Sequence, residues 1–365
     1  MEKNEKLSHK WNIIVVSVSL LLFVFLGGIT IYIDPLFHYH APLDKYEYPI
    51  DDERYQNDGI VRHFKYNAVI TGTSMVENFE TSQCNQLFGK DEEIIFIKVP
   101  FAGAPYREVN ECLKRAFQSN PNIKFVIRSL DNAYLVEDKD AVWDGITQYG
   151  YPEYLVNNNP FDDVEYLLNK DILFEKTLRV CDYTYQGKKT PSFDEYMSWS
   201  DDMNYGREAI LEEYMRSEKA PAKRKYVQTD NVKMIDNLHQ NVISLSEQHK
   251  DTTFYLFFPP YSILYWDKLN QRGEVEWRIE AEKNAIEELI NYSNIKLYSF
   301  CTEYDMICDL NNYRDPYHYG GWINKKILEW MSQDIHQITK ENYQEYISQM
   351  YNFYGTYNYE ALYDE

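Results

Sequence analysis

The chain of 365 residues is long enough for one large domain or two small ones. Its hydrophobic content of 44% is ample for a core, and its formal net charge is −21 at pH 7. That charge argues strongly against nucleic-acid binding, which needs a basic face, and disfavours flat adsorption on anionic lipid. The 34 tyrosines indicate either an aromatic surface that stacks on sugar rings or a compositional bias shared with the abundant Asn, Ile and Lys.

The first element along the chain is a membrane anchor. Residues 12–33 are uncharged and apolar, and their length matches the roughly 20 residues that span a bilayer. The run is too long for the hydrophobic region of a signal peptide, and no small-x-small cleavage site follows it. Lysines in the tail 1–11 and acidic residues after 33 predict a cytoplasmic N-terminus. We therefore expect a single-pass protein of the cell membrane with an extracellular body.

The body is predicted to be an α/β domain over residues 61–340, after a stalk at 34–60 that lacks clear periodicity and packs against the body. Strand-like and helix-like runs alternate in this domain, which predicts a parallel sheet with helices on both sides. The predicted strands are 66–71, 93–99, 123–129, 252–258 and 295–300. The predicted helices run from Ser74 through Leu87, then over about 105–117, 230–249, 274–292 and 321–335.

One long interruption and one tail depart from this alternation. The polar, tyrosine-rich stretch between residues 130 and 230 predicts a cap insertion, about 133–229, above the C-terminal edge of the strands. The acidic, tyrosine-rich tail 341–365 is expected to pack on the body rather than to form a domain.

The cysteines do not indicate a metal site. There is no Cys-x-x-Cys and no Cys/His cluster, so we expect neither a metal nor an organic cofactor. Outside the cell some cysteines could pair, and Cys301 and Cys308 are the closest in sequence. We interpret the set mainly as buried small hydrophobic residues: Cys84, Cys112, Cys181, Cys301 and Cys308.

Candidate catalytic residues follow the predicted strands. Ligands of a doubly wound sheet bind outside the carboxyl ends of its strands, so residues that follow different strands are expected to meet there. These residues are Ser74 after the first strand, Gly103 after the second, Asp131 and Asn132 after the third, 259–262 after the fourth, and Asp315 and His318 after the fifth.

These residue types suit acyl-transfer chemistry. Ser74 would be the nucleophile, His318 would take its proton, and Asp315 would orient the imidazole. The N–H of Ser74 at a helix N-terminus, the N–H of Gly103 and the amide of Asn132 would hold an oxyanion.

Each residue also has an ordinary structural interpretation. Ser74 would serve as a helix cap, Gly103 and the pair Asp131-Asn132 as turn residues, and His318 as a surface histidine. The order and spacing of the whole set favour the catalytic interpretation. A nucleotide-binding domain is disfavoured, because Gly72-Thr73-Ser74 lacks the lysine and the glycine spacing of a P-loop.

The ordered set Ser74, Gly103, Asp131/Asn132 and Asp315-x-x-His318 resembles the SGNH (GDSL-like) hydrolase superfamily over roughly residues 61–335, without the insertion. The resemblance implies a flavodoxin-like, three-layer α/β/α fold with a five-stranded parallel sheet of order 2-1-3-4-5. It implies a Ser74 nucleophile, an Asp315-His318 pair, and an oxyanion hole from the other blocks.

The anchor adds a second likeness, to the membrane-anchored branch that includes the D-alanine transfer protein of teichoic acids and alginate O-acetyltransferases. This likeness implies an esterase or O-acyltransferase that acts on acyl esters, such as acetyl esters, of cell-surface polysaccharide. Its partners would be a surface glycan and polysaccharide-assembly membrane proteins.

Two blocks depart from the family pattern. The first reads Gly-Thr-Ser-Met instead of Gly-Asp-Ser-Leu and keeps the serine. The third places Asp131 where the family has asparagine, and an ionised carboxylate would repel an oxyanion. Two alternatives stay open: Asn132 takes the donor role, or Asp131 binds something else. A catalytically degenerate domain that binds glycan, or that scaffolds polysaccharide export, is therefore the alternative function.

Overall fold

The computed structural model describes residues 2–89, 93–143, 145, 152–157 and 159–363. The chain divides into two compact units, one formed by residues 1–64 with 150–191 and the other by residues 65–149 with 192–365. The predicted insertion is thus divided between the two units. Parts of it (144, 146–151 and 158), and the last two residues of the predicted tail, lie outside the described residues.

The first unit contains the predicted apolar helix. Helix α1 (Glu2–Ile33) is 32 residues long, and its segment Ser8–Ile33 is long and apolar enough to cross a membrane. Its passage through a bilayer and its orientation stay predictions. The other helices of this unit are α2 (Glu53–His63), α5 (Glu153–Val156), α6 (Val164–Leu167) and α7 (Thr177–Tyr185), with a π-helical turn at Ile172–Lys176 before α7.

The predicted stalk is partly helical, because α2 begins inside it. No apolar periodicity marks α2, since its buried positions include Glu53, Gln56, Asn57 and Asp58. Gln56 explains how such a face is buried: its amide donates to the carbonyls of Pro35 and Pro49 and accepts from the N–H groups of residues 51 and 52. A buried polar face of this kind gives no amphipathic signal.

The second unit is built on a six-stranded sheet of order β2-β1-β3-β4-β5-β6. Strands β1 to β5 pair in parallel, and β6 pairs with β5 in the antiparallel sense. The mixed α/β class is confirmed, but a five-stranded all-parallel sheet is not. The strands are β1 (Ala68–Gly72), β2 (Phe96–Pro100), β3 (Phe125–Ser129), β4 (Thr253–Phe258), β5 (Ile295–Ser299) and β6 (Gln337–Ile338).

Helices pack on both faces of this sheet. On one face, Phe88 of the helix after β1 contacts the rings of Phe96, Phe125 and Tyr255. On the other face, Phe117 contacts Phe254. The helices of this unit are α3 (Thr81–Phe88), α4 (Tyr106–Ser119), α8 (Arg207–Glu213), α9 (Gln228–Leu238), α10 (Ser244–Gln248), α11 (Ile263–Arg272), α12 (Val275–Leu289), α13 (Tyr304–Cys308), α14 (Gly321–Ser332) and α15 (Tyr343–Tyr354).

Two helix predictions are corrected. The helix expected from Ser74 to Leu87 is a 3₁₀ turn at Ser74–Val76 followed by α3. The helix expected over 230–249 is α9 and α10 joined by a π-helical turn at His239–Ile243. In the segment of the predicted tail, the ring of Tyr354 on α15 stacks on Trp266 at 3.6 Å.

Candidate active site

The structure brings Ser74, His318 and Asp315 together. The Oγ of Ser74 lies 2.7 Å from Nε2 of His318, and Nδ1 of His318 lies 2.7 Å from Oδ2 of Asp315. All three side chains are partly exposed, so an external substrate can reach them. A serine bound to an imidazole, which is bound to a carboxylate, is the arrangement that activates a hydroxyl for nucleophilic attack.

The loop that carries Asp315 and His318 is held in shape by its own backbone. Tyr313 and Tyr319 form an antiparallel bridge across it, and Oδ1 of Asp315 accepts from the N–H groups of Tyr317 and His318. Burial would raise the pKa of Asp315, but its bonds with His318 and these N–H groups outweigh burial and lower that pKa. Asp315 is therefore ionised at neutral pH and suited to orient a protonated imidazole.

The loop after β4 supports the same hairpin. The N–H and Oγ of Ser262 both donate to the carbonyl of Pro316, at 3.1 and 2.8 Å, and the hydroxyl of Tyr313 donates to the carbonyl of Pro260. Residues 259–262, which were predicted to follow this strand, therefore stabilise the loop that carries Asp315 and His318.

The turn that presents Ser74 requires a glycine before it. Gly72 has a φ of 144°, and a Cβ at this position would lie 2.2 Å from Oγ of Ser129. Thr73 caps the 3₁₀ turn by accepting from the N–H of Met75. Ser74 is therefore neither the helix cap nor at an α-helix N-terminus, and a dipole from α3, which begins at Thr81, does not act at Ser74.

The first two oxyanion donors are available. Within the described residues, the backbone N–H groups of Ser74 and Gly103 donate to no protein acceptor. Gly103 adopts a φ of 66°, the left-handed region that favours glycine, and its carbonyl accepts from the hydroxyl of Tyr134 at 2.9 Å. This bond and the bond from the N–H of Ala104 to the carbonyl of Phe101 fix the peptide that follows Gly103. The N–H of Gly103 belongs to the preceding peptide and takes part in neither bond.

The third candidate for the oxyanion hole, the pair Asp131-Asn132, forms hydrogen bonds with buried protein groups. The amide of Asn132 donates to Oε2 of Glu282 at 3.1 Å, in the protein interior. Asp131 is also buried: its Oδ1 accepts from the hydroxyl of Tyr261 and its Oδ2 from the hydroxyl of Ser129. One of the two amide hydrogens of Asn132 is thus directed to Glu282, and a donor role of Asn132 towards the oxyanion stays a prediction. Of the two alternatives, Asp131 binding another group is the one observed.

The charge state of Asp131 follows from these contacts. Burial raises the pKa of Asp131, while hydrogen bonds from Tyr261, Ser129 and Thr73 partly oppose that effect. A raised pKa means that the fold disfavours a negative charge beside the site.

Three residues of the site carry no signal in the sequence. Trp199 places its ring perpendicular to that of His318, with centroids 5.5 Å apart. Oδ1 of Asn78 accepts from the N–H groups of Trp199 and Ser200 and from Oγ of Ser198. The amide of Asn324 donates to the carbonyl of Met75, which ties α14 to the serine turn. Asn78 and Trp199 lie in irregular loops without periodicity, and Asn324 is one buried polar residue on an otherwise ordinary helix. Only the structure therefore identifies these three residues.

The described residues contain no group of three or more His, Cys, Asp or Glu side chains that could hold a metal ion. None of the five cysteines, all of which lie in the described part of the chain, forms a disulfide bond. Cys84, Cys112 and Cys301 are buried, whereas Cys181 is exposed.

Comparisons with known proteins add little to this picture. No family model matches the chain, and no curated protein matches it. Among solved structures it is similar to one named "putative platelet activating factor from Streptococcus pneumonia", at 12% sequence identity and a TM-score of 0.38, over 77% of this chain and 92% of that chain. The function proposed below therefore rests on the geometry of the site.

Proposed function

We propose that this chain is a membrane-anchored, extracellular serine esterase or O-acyltransferase with a flavodoxin-like domain of the SGNH type. Its substrates are acyl esters, such as acetyl esters, of cell-surface polysaccharide. The observation that carries the proposal is the hydrogen-bonded chain from Ser74 Oγ through His318 to Asp315, with both bonds at 2.7 Å.

The first half of the reaction forms an acyl-enzyme. Nε2 of His318 removes the proton from Ser74 as Oγ attacks the acyl carbonyl, and Asp315 stabilises the imidazolium that results. The N–H groups of Ser74 and Gly103 donate to the oxyanion of the tetrahedral intermediate, where one such donor is typically worth about 3–4 kcal/mol of barrier lowering. The intermediate collapses when His318 returns the proton to the leaving alcohol oxygen.

The second half regenerates the serine. His318 takes a proton from water or from a sugar hydroxyl, whose oxygen attacks the acyl carbon of the Ser74 ester. The bond between the acyl carbon and Oγ then breaks as His318 returns the proton to Oγ. Water gives hydrolysis and a sugar hydroxyl gives acyl transfer. Aromatic side chains near the site support a carbohydrate acceptor, since Trp199 lies beside His318 and a Cβ on Gly103 would lie 3.6 Å from Nε1 of Trp143.

The test is active-site labelling of the full-length protein in detergent with a fluorophosphonate, followed by mass spectrometry of the modified peptide. We expect phosphonylation at Ser74 that is lost in Ser74→Ala and His318→Ala. Ser348→Ala is the matched control, because its exposed hydroxyl only donates to the carbonyl of Gln344 on α15. Labelling that persists in Ser74→Ala would contradict the proposal.

A second candidate is a degenerate domain that binds glycan. The observation in its favour is that Asp131 and Asn132 are both bonded to buried protein groups, which favours a structural role for this pair over donation to an oxyanion. Absence of labelling in a folded protein, together with glycan binding that Ser74→Ala leaves unchanged, would favour this candidate over the enzyme.

A further inference from the structure

The unit formed by residues 1–64 and 150–191 exposes a continuous series of apolar side chains. Their exposed fractions lie between 40% for Leu168 and 90% for Tyr185. We call this set the apolar stripe: Phe161, Val164, Leu168, Phe174, Leu178 and Tyr185.

The stripe lies on two successive helical segments. In the first, Val164 is in α6, and Phe161 and Leu168 flank this helix at spacings of three and four residues. In the second, Phe174, Leu178 and Tyr185 share one face of the π-helical turn and α7. Exposed Cys181 lies on this same face. The neighbouring exposed face of α7 is polar, with Arg179 paired to Asp51 and with exposed Asp182. The segment 161–185 is therefore amphipathic, with its apolar stripe turned outward.

This segment packs directly on α1. A Cβ on Gly27 would lie 3.8 Å from Cβ of Leu167, and Oγ1 of Thr30, which is fully buried, lies within hydrogen-bond distance of the carbonyl of Leu167 at 3.4 Å. The π-helical turn and α7 contact α1 as well. Gly27 and Thr30 belong to the segment Ser8–Ile33 that is apolar enough to span a bilayer.

The depth of this contact follows from helix geometry. Trp11 and the apolar residues through Phe25 are exposed, whereas Gly27, Thr30 and Ile33 are buried on one side of α1. A hydrocarbon core of about 30 Å takes up about 20 helical residues, which from Trp11 reach Thr30. Packing of α6 against Gly27 and Thr30 thus places Leu167 at the boundary of the bilayer.

We propose that the apolar stripe is embedded in the lipid at this boundary, so that the segment 161–185 lies along the membrane surface beside α1. Amphipathic helices insert their apolar face about 5–10 Å into the boundary between headgroups and acyl chains, and tyrosine is enriched at this level. Lipid covers the stripe because Leu167, which belongs to the same segment, packs against the membrane-spanning helix α1.

The stripe binds lipid through burial of its apolar side chains rather than through attraction between charges. Most basic side chains beside the stripe are in ion pairs, namely Lys170–Asp171, Lys176–Asp52, Arg179–Asp51 and Lys189–Glu47. The chain has a net charge of −21, so the described residues of this unit form no basic patch that selects anionic headgroups. Insertion is therefore independent of anionic lipid and of salt. The proposal rests on α1 crossing the bilayer and is independent of the chemistry of Ser74.

The test uses the full chain reconstituted in phosphatidylcholine liposomes. A thiol-reactive fluorophore is attached to Phe161→Cys, Phe174→Cys or Leu178→Cys in a background that carries Cys181→Ser and Cys308→Ser. Quenching is then measured with phosphatidylcholine brominated near the top of the acyl chains. Asp182→Cys is the matched control, because Asp182 is exposed on the polar face of α7 in the same unit. Val24→Cys in α1, 73% exposed, reports the spanning segment.

We expect quenching at the three stripe positions and at Val24, and much weaker quenching at Asp182, with no change when phosphatidylglycerol or salt is added. Quenching at Val24 without quenching on the stripe would overturn the proposal, whether water or another protein surface covers the stripe. Absence of quenching at Val24 would also overturn it, since the stripe reaches lipid only beside a spanning α1.

Discussion

The hydroxyl of Tyr261 donates to Oδ1 of Asp131 at 2.6 Å, in the protein interior below the Ser74 turn. Ser129 donates to the other carboxyl oxygen at 2.7 Å. The acidic residue of the third block is thus a structural link between the loops after β3 and β4. It does not face substrate as an unpaired charge, and this removes the main objection to an oxyanion forming nearby.

Replacing Asp131 with asparagine is expected to stabilise the protein at neutral pH. Burial raises the pKa of Asp131 despite three hydroxyl donors, so its stabilising contribution is present below the unfolded-state pKa near 4 and is lost as the pH rises through the folded-state pKa. Asp131→Asn has no ionisable group at this position, so the variant does not lose stability in this way as the pH rises. Urea unfolding of both proteins should show a difference at pH 7 that shrinks as the pH falls towards 4, and a difference of the opposite sign at pH 7 would contradict the prediction.

Removal of the Tyr261 hydroxyl is expected to destabilise the protein at pH 7 by about 1–3 kcal/mol, because a buried carboxyl then loses a donor. The matched background is Asp131→Asn, in which the same Tyr261→Phe change removes a bond to a neutral group and costs less. A double-mutant cycle of unfolding free energies measures the difference. Additive effects of the two substitutions would show that the Tyr261–Asp131 bond has no energetic role.

The strands were predictable because buried parallel strands are continuous apolar runs. Strand β6 was not, since two residues, Gln337 and Ile338, show no periodicity. Helix α2 was missed for a different reason, because it buries Gln56 and its polar neighbours through hydrogen bonds to loop carbonyls. Such pairings depend on where distant segments fold.

The residues of the site also fall into those that the sequence predicted and those that it did not. Ser74, Gly103 and the Asp315–His318 pair followed from the rule that ligands bind beyond the carboxyl ends of parallel strands. The direction of the Asn132 side chain did not follow, because its partner Glu282 lies 150 residues away on α12. Residue type and position therefore identify candidates for an oxyanion hole, whereas hydrogen-bond partners decide among them.

Asn78 is expected to act as a positioning residue for His318. Its Oδ1 accepts the N–H groups of Trp199 and Ser200, each at 3.0 Å, and Trp199 packs edge-on against His318. Asn78→Ala leaves these donors unpaired, which costs about 1–3 kcal/mol of stability, and it frees Trp199 to move. A displaced catalytic group slows reaction by up to about 100-fold.

The readout for Asn78 is the rate of fluorophosphonate labelling of Ser74 at a temperature where both proteins are folded. Asn78→Asp keeps the acceptor oxygen and should restore most of the rate. A rate that Asn78→Ala leaves unchanged, with only its stability lowered, would assign Asn78 a purely structural role.

Asp315→Asn is expected to slow labelling of Ser74 by about 10³–10⁴-fold, because an amide opposite Nδ1 favours the wrong imidazole tautomer. Asp309→Asn is the control, since the carboxylate of Asp309 accepts from Asn311 in the adjoining turn, and this variant should leave the rate unchanged. Equal loss in both variants would contradict the assigned role.

The same residue makes a prediction about stability. His318 and two N–H groups lower the pKa of Asp315 despite burial. Its contribution to stability is therefore present above the unfolded-state value near 4 and is lost as the pH falls through the folded-state pKa. The unfolding free energies of wild type and Asp315→Asn should converge below about pH 4, and a difference independent of pH would exclude this linkage.

Lys98 on β2 is expected to stabilise the segment that follows the 3₁₀ turn at Ser74–Val76. It is fully buried, and its Nζ donates to the carbonyls of Glu77, Phe79 and Asp194. Burial lowers the pKa of Lys98 to about 8, although nearby acidic groups oppose the shift. At pH 7, Lys98→Met should destabilise the protein by about 1–3 kcal/mol, because it leaves buried carbonyls unpaired.

The pH dependence of this difference has a definite sign. Between the folded-state pKa of about 8 and an unfolded-state value near 10.4, the unfolded chain binds more protons at Lys98, so wild-type stability rises with pH relative to Lys98→Met. The gap between the two proteins should widen by up to about 3 kcal/mol from pH 7 to pH 10. Urea unfolding at intervals of one pH unit measures it. A gap that stays constant or narrows would mean that the Lys98 ammonium is as well solvated by its three carbonyls as by water.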